Sequence, residues 1–158
     1  MKFILLTANL CQMKQEHFYD VSVQWTENRK GTMSSDVLET VIEVATPPQF
    51  PKGMEGIWSP EHLFVAAINS CLMTTFLSIA ENSKLDFSVF ESKAVGKLEN
   101  VDGKYRMSEV VLKPVVSVVS ERDKEKALRL LQKAEAACLI SNSVSSKIVL
   151  DPIVQVIG

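Results

Sequence analysis

No Cys-x-x-Cys pair occurs in the 158 residues, which hold only three cysteines, Cys11, Cys71 and Cys138, and two histidines, His17 and His62. Three scattered thiols are too few for the disulfide framework of a small secreted domain. That inventory also yields no four-ligand zinc site with the usual spacings, so no structural metal is expected. Nothing implies a nucleotide, and no cofactor is expected. No Lys/Arg cluster is interleaved with aromatics, and the formal net charge is -2. The chain therefore lacks the electrostatic footprint that nucleic acid or an anionic membrane surface requires. Internal repeats and low-complexity segments are missing too. One domain with a real core is the simplest organisation at this length.

The opening residues, MKFILLTANLCQM, place one lysine before a short apolar run, a weak likeness to a signal peptide that lacks an A-x-A cleavage site. Asn9 and Leu10 stand where a lipoprotein site before Cys11 wants small residues. An edge strand or an upstream extension with a second start at Met13 fits better. The reading adopted is an N-terminal extension over residues 1–17, a single domain over 18–158, and a cytoplasmic location.

Phe18 to Trp25, FYDVSVQW, alternates and is rich in strand formers, and TENRKG turns the chain. Two more short strands follow, broken near Ser35-Asp36. Four of the six prolines, with Gly53 and Gly56, mark Thr46 to Pro60 as a long loop, and long loops often carry function. Ser59-Pro60-Glu61 is a helix start: serine caps, proline tolerates the first position, and glutamate suits the positive helix end. That helix should run to about Asn82. Asp86 to Glu99 reads as a strand, Asn100 to Gly103 as a turn, and Tyr105 to Ser120 as a second strand in which Pro114 predicts an edge or a bulge. Ser120 to Asp123 resembles a capping box before a second, amphipathic helix carrying Leu128, Leu131, Ala134 and Cys138 at helical intervals. Lys147 to Ile157 closes as a strand. The expected class is α+β, with mainly antiparallel sheets, a long buried central helix and a second helix.

Leu63 to Ala80 contains no charge, which just reaches the length of a membrane span. Asn69, Ser70, Thr74, Thr75 and Ser78 instead favour a helix covered by protein. One small domain can hardly surround it, so a second subunit is expected to complete the cover. Cys71, in its middle, has two readings: a small buried hydrophobe, the commoner fate of a free cysteine, or a nucleophile. It lies roughly 18 Å along the helix from Ser59, beyond the reach of the helix dipole. A thiol near pKa ~8.5 is only a few per cent ionised at neutral pH, so a reactive Cys71 needs help from elsewhere. Cys138 alone also reads more readily as core.

Two blocks carry a resemblance. SPEHLFVAAINSC (Ser59 to Cys71) joins Pro-Glu-x-Leu, a run of small residues and Ser-Cys on a long helix; AEAACLISNSV (Ala134 to Val144) places a second cysteine before a serine on a later helix. Together, and in this strand–helix order, they resemble the OsmC/Ohr family, the osmotically inducible and organic-hydroperoxide-resistance proteins, over about Tyr19 to Val156. The resemblance implies an interleaved homodimer that reduces organic hydroperoxides. Cys71 matches the peroxidatic cysteine and Cys138 the resolving one, re-reduced by a dithiol that is often a dihydrolipoyl group. Glu61 matches the carboxylate that fixes an arginine beside the reactive thiol. The family takes that arginine from the first hairpin loop or from the loop before Pro-Glu. Here the first loop offers Arg29, with Lys30, and the second only Lys52; a solvated turn residue is the competing reading of Arg29. Glu61 and Cys71 are about 15 Å apart on an unbroken helix, so a direct Glu61–cation bridge at Cys71 needs a partner chain or a broken helix. The site is expected at the dimer interface. Phe50, Met54, Trp58, Phe64 and Met73 are the candidates for an apolar substrate pocket, each with core packing as the alternative. A non-catalytic dimer that binds an apolar small molecule or responds to redox state is the second functional reading.

Overall fold

A computed structural model describes residues 16–157. Most of the expected N-terminal extension, including Cys11 and the alternative start at Met13, lies outside the described residues. Strands β1 (Ser22–Glu27), β2 (Lys30–Ser34) and β3 (Ile42–Ala45) form a three-stranded antiparallel sheet. β1 begins later than the alternation suggests. It is exposed along its whole length, with Val23 and Trp25 standing out in solvent. Asn28 takes a positive φ of 46° in the tight β1–β2 turn, and the Trp25 indole N–H donates to the Asn28 carbonyl at 3.2 Å. This sheet makes few contacts with the rest of the fold. It is tied there by a bridge between Val44 and Trp58 and by the Ala45 N–H donating to the Trp58 carbonyl at 2.8 Å.

Helix α1 runs unbroken from Pro60 to Asn82. Ser59, fully buried, accepts from the His62 N–H at 3.3 Å, and Pro60 occupies the first turn, as the Ser-Pro-Glu start predicts. Its inner stripe, Ile68, Leu72, Phe76 and Ala80, is buried in the core. Phe76 lies 5.1 Å from the Phe90 ring in a stack and 5.5 Å from Phe87 edge-on. The opposite side, Ala67, Ser70, Met73, Thr74, Leu77 and Ser78, is open, although it carries no charge.

β4 (Phe87–Val101) and β5 (Lys104–Val118) form a long antiparallel hairpin. Asp102 and Gly103, with φ of 53° and 80°, make its two-residue turn; Asp-Gly suits such a turn because both central residues need positive φ. Helix α2 (Glu121–Ala137) starts at Ser120, whose hydroxyl donates to the Asp123 carboxylate at 2.7 Å and accepts from the Asp123 N–H at 3.3 Å. Its face of Ala127, Leu130, Leu131 and Ala134 joins the core against α1.

The larger sheet differs from expectation in two ways, the first in its final segment. That segment is two strands, β6 (Lys147–Leu150) and β7 (Ile153–Val156), and both run parallel to β5, so the larger sheet is mixed. Pro114 is buried in the middle strand, neither at an edge nor at a bulge. The split into two strands and the place of Pro114 share a cause. β6 ends opposite Leu112 and β7 begins opposite Val115, so the Asp151-Pro152 break falls where Pro114 has no N–H to offer. The Asp151 N–H still closes the gap by donating to the Leu112 carbonyl at 2.8 Å.

Candidate functional site

Cys71 sits midway along α1 and is half-buried; Cys138 is fully buried at the C-terminal cap of α2, and both are free thiols. The cap explains how Cys138 is aimed. Its backbone leaves the helix in an extended conformation (φ -65°, ψ 114°), and a short 3-10 turn over Ser141–Ser143 follows. The Asn142 amide N–H2 donates to the Ala136 carbonyl at 3.0 Å, satisfying one of the acceptors that a helix end leaves open. The Ser141 N–H donates to the Cys138 sulfur at 3.5 Å.

This segment brings the two thiols together. Burial pushes the Cys71 pKa up, but hydrogen bonds from the Cys138 thiol, the Ile140 N–H, the Thr75 hydroxyl and the Leu139 N–H outweigh it and hold Cys71 below the usual thiol range. Cys138 moves the other way: burial raises it, and so does the interaction with Cys71, against smaller opposing contributions from Ser141. The pair is polarised, with Cys71 the group that ionises first. Spacing could not reveal this, because the sequence separation of the two cysteines says nothing about the fold between them.

The other candidates form a second constellation. Arg29, at the β1–β2 turn, and Glu61, in the first turn of α1, line one cleft together with Trp25 and Pro60. Glu61 Oε2 is buried with no hydrogen-bond partner among the described residues. Lys52 and Met54 lie with Arg29 around a neighbouring depression. Lys30 also lines the Arg29–Glu61 cleft, with its ammonium paired to Glu43 at 3.1 Å and Glu27 at 3.4 Å. Because α1 is continuous, Glu61 is about 15 Å along the axis from Cys71 of the same chain. A broken helix is therefore not how the two meet.

The five apolar pocket candidates do not share a cavity. Phe50 and Trp58 line a cavity of about 690 Å³ with Glu61, His62, Val65, Asn69, Tyr105 and Met107. Phe64 packs against the core, Met54 sits in the depression beside Lys52, and Met73 lies on the open side of α1. The cavity occupies a different side of α1 from Cys71, which is turned by about 200° from Asn69. Gly96 on β4 allows α1 to approach: a Cβ there would lie 2.5 Å from side-chain carbons of both Val65 and Met107. Sequence reasoning missed Tyr105 and Asn69 as lining residues and Thr75 as a neighbour of the thiol. Only Thr75 has a local signal, its place one helical turn beyond Cys71.

Three similarities bear on this arrangement. The chain is 27% identical over 146 residues to the protein YmaD of Bacillus subtilis (strain 168), covering 87% of this chain and 93% of that one. A solved OsmC-like protein of unknown function from Vibrio cholerae superposes with a TM-score of 0.78 at 29% identity, over 87% of this chain and all of the other. A protein from Elizabethkingia anophelis, named an organic hydroperoxide resistance protein, shares the fold with a TM-score of 0.70 at 22% identity, over 89% and 99% of the two chains. The profile of the OsmC-like proteins matches residues 53–152, from the loop before α1 to the end of β6 and so across both cysteines, and the chain belongs to that family.

Proposed function

We propose that the protein is a cytoplasmic, homodimeric thiol peroxidase that reduces organic hydroperoxides, with Cys71 as the attacking and Cys138 as the resolving thiol. The observation that carries this reading is the meeting of two free thiols from different helices with opposite pKa shifts. The Cys71 thiolate attacks the terminal peroxide oxygen; an S–O bond forms, the O–O bond breaks, and the departing alkoxide takes up a proton and leaves as alcohol. Cys71 is then a sulfenic acid. Cys138 sulfur attacks Cys71 sulfur, an S–S bond forms, and hydroxide leaves with the Cys138 proton as water. A dithiol of the dihydrolipoyl type returns the pair to thiols and is itself oxidised. The neighbour named an organic hydroperoxide resistance protein supports the same assignment.

The test is intact mass after one equivalent of cumene hydroperoxide. Loss of two hydrogens in the native protein, abolished in both Cys71→Ser and Cys138→Ser, is the expected result. A folded protein with no Cys71-dependent mass change would instead favour the non-catalytic reading. One observation supports that alternative: the large cavity, lined by Phe50, Trp58 and Tyr105, lies away from the thiols and suits an apolar small molecule.

A second copy is the fitting cover for the bare side of α1 and for the protruding β1–β3 sheet. It would also bring its own Arg29–Glu61 cleft toward Cys71. Leu77, exposed on that bare face, should be decisive. Leu77→Asp is expected to weaken self-association by about a hundredfold or more, since it would bury an unpaired carboxylate. Sedimentation checks this, and a native chain that sediments as a monomer at micromolar concentration refutes it.

A further inference from the structure

Thr74 and Thr75 are adjacent on α1, yet their hydroxyls do different things. Thr74 is exposed and bonds back along its own helix, donating to the carbonyls of Ser70 and Cys71 at 3.2 Å each. That is the ordinary fate of a threonine inside a helix. Thr75 is half-buried, and its Oγ1 lies 4.0 Å from the Cys71 sulfur, at the outer limit for a hydrogen bond to sulfur. Helical side chains lean toward the N-terminus, so a residue one turn beyond Cys71 overhangs it. We infer that Thr75 is a catalytic residue whose hydroxyl donates to the Cys71 thiolate and then accepts from the sulfenic acid that replaces it.

Three features of the site single out this hydroxyl. Cys71 is too far along α1 for the helix dipole to act on it, so within its own chain its ionisation depends on local donors. Among those donors, the Leu139 and Ile140 N–H groups are fixed by the backbone and can only donate. The Cys138 thiol is a reactant and is lost as a donor once the disulfide forms. The Thr75 hydroxyl is a rotor that both donates and accepts. It can face a sulfur anion before oxidation and an S–O–H group after it. No proton leaves the threonine in this role, so the balance of the peroxide step is unchanged. The contact should shorten when the sulfur carries charge, as charge-assisted bonds do.

The catalytic meaning of this contact rests on the peroxidase reading above, but its test does not require peroxide. The pH dependence of iodoacetamide alkylation is followed on the Cys71-containing peptide of the full-length reduced protein, for the native chain, Thr75→Val and Thr75→Ser. Valine keeps the β-branch and removes the hydroxyl; serine restores it. The alkylation midpoint is expected to rise by about half a pH unit in Thr75→Val and to return in Thr75→Ser, with about a threefold loss of thiolate near pH 7 in the valine variant. In peroxide turnover the same variant should lose about threefold in kcat/KM near neutrality and recover toward the native rate at alkaline pH, where Cys71 is fully ionised. A midpoint unmoved by valine, or moved equally by serine, overturns the inference. A valine shift reversed by serine, in a protein that no peroxide oxidises, upholds the contact and overturns the peroxidase reading alone. Thr75→Ala, expected to shift the midpoint in the same direction, replaces valine if that variant fails to fold.

Discussion

Cys71→Ser should abolish turnover of organic hydroperoxide, with a fall of about a thousandfold or more in kcat/KM, because a serine hydroxyl at neutral pH is neither ionised nor a match for thiolate nucleophilicity. Cys138→Ser should behave differently. The Cys71 attack survives, so one equivalent of peroxide is consumed and a sulfenic acid remains on Cys71, detectable by a dimedone adduct. Steady-state turnover with a dithiol then stalls, because no internal thiol converts the sulfenate to a disulfide. The contrast matters more than either loss. Cys138 is fully buried and held by the Ser141 N–H, whereas Cys71 is half-buried and has the lowered pKa, so attack and resolution are not interchangeable between them. Stopped-flow consumption of peroxide, read against adduct mass, decides the matter. Equal first-turnover amplitudes in the two serine variants would show that neither thiol has the assigned role.

The largest effect on stability is expected at Phe76. It is fully buried and holds α1 against the β4 hairpin through the rings of Phe87 and Phe90. Phe76→Ala removes a whole ring from a site whose walls are a helix and a paired strand, neither free to collapse inward. A loss of about 3–5 kcal/mol follows from the removed transfer energy and the cavity left behind. Urea unfolding of native and variant proteins, monitored by far-ultraviolet circular dichroism, measures it. A loss under about 1 kcal/mol would mean that the interior relaxes around the gap and that this ring cluster is not where α1 is anchored.

Local signals in the chain reveal local structure. Ser59-Pro60-Glu61 marks the α1 start and Asp102-Gly103 the long hairpin, because capping and positive-φ turns are decided within a few residues. The resemblance of the two cysteine blocks supplies the expectation, which spacing cannot, that Cys71 and Cys138 lie near each other. What stays hidden is settled by distant chain. The parallel course of β6 and β7 follows from the α2 crossover that returns the chain alongside β5, and the toleration of Pro114 in a middle strand depends on where the Asp151-Pro152 break falls opposite it. Met54, Phe64 and Met73 look no different in sequence from Phe50 and Trp58, since an apolar side chain carries no mark of whether it fills a core, lines a cavity or waits on a bare face. Thr75 was overlooked for a related reason: a threonine in an apolar helix ordinarily bonds to its own backbone, as Thr74 does.

The chain has two tryptophans, and neither belongs to the hydrophobic core. Trp25 is 72% exposed on β1, and Trp58 is 52% exposed at the large cavity. The intrinsic fluorescence of this protein therefore watches its periphery. Emission reports the environment of the protruding sheet and of the cavity mouth, while the α1 interior holds no tryptophan and is silent to it. A ligand entering the cavity or a subunit settling on β1 would change colour and intensity without any change in folding. Conversely, the interior can loosen around an altered Phe76 while the tryptophan signal stays still.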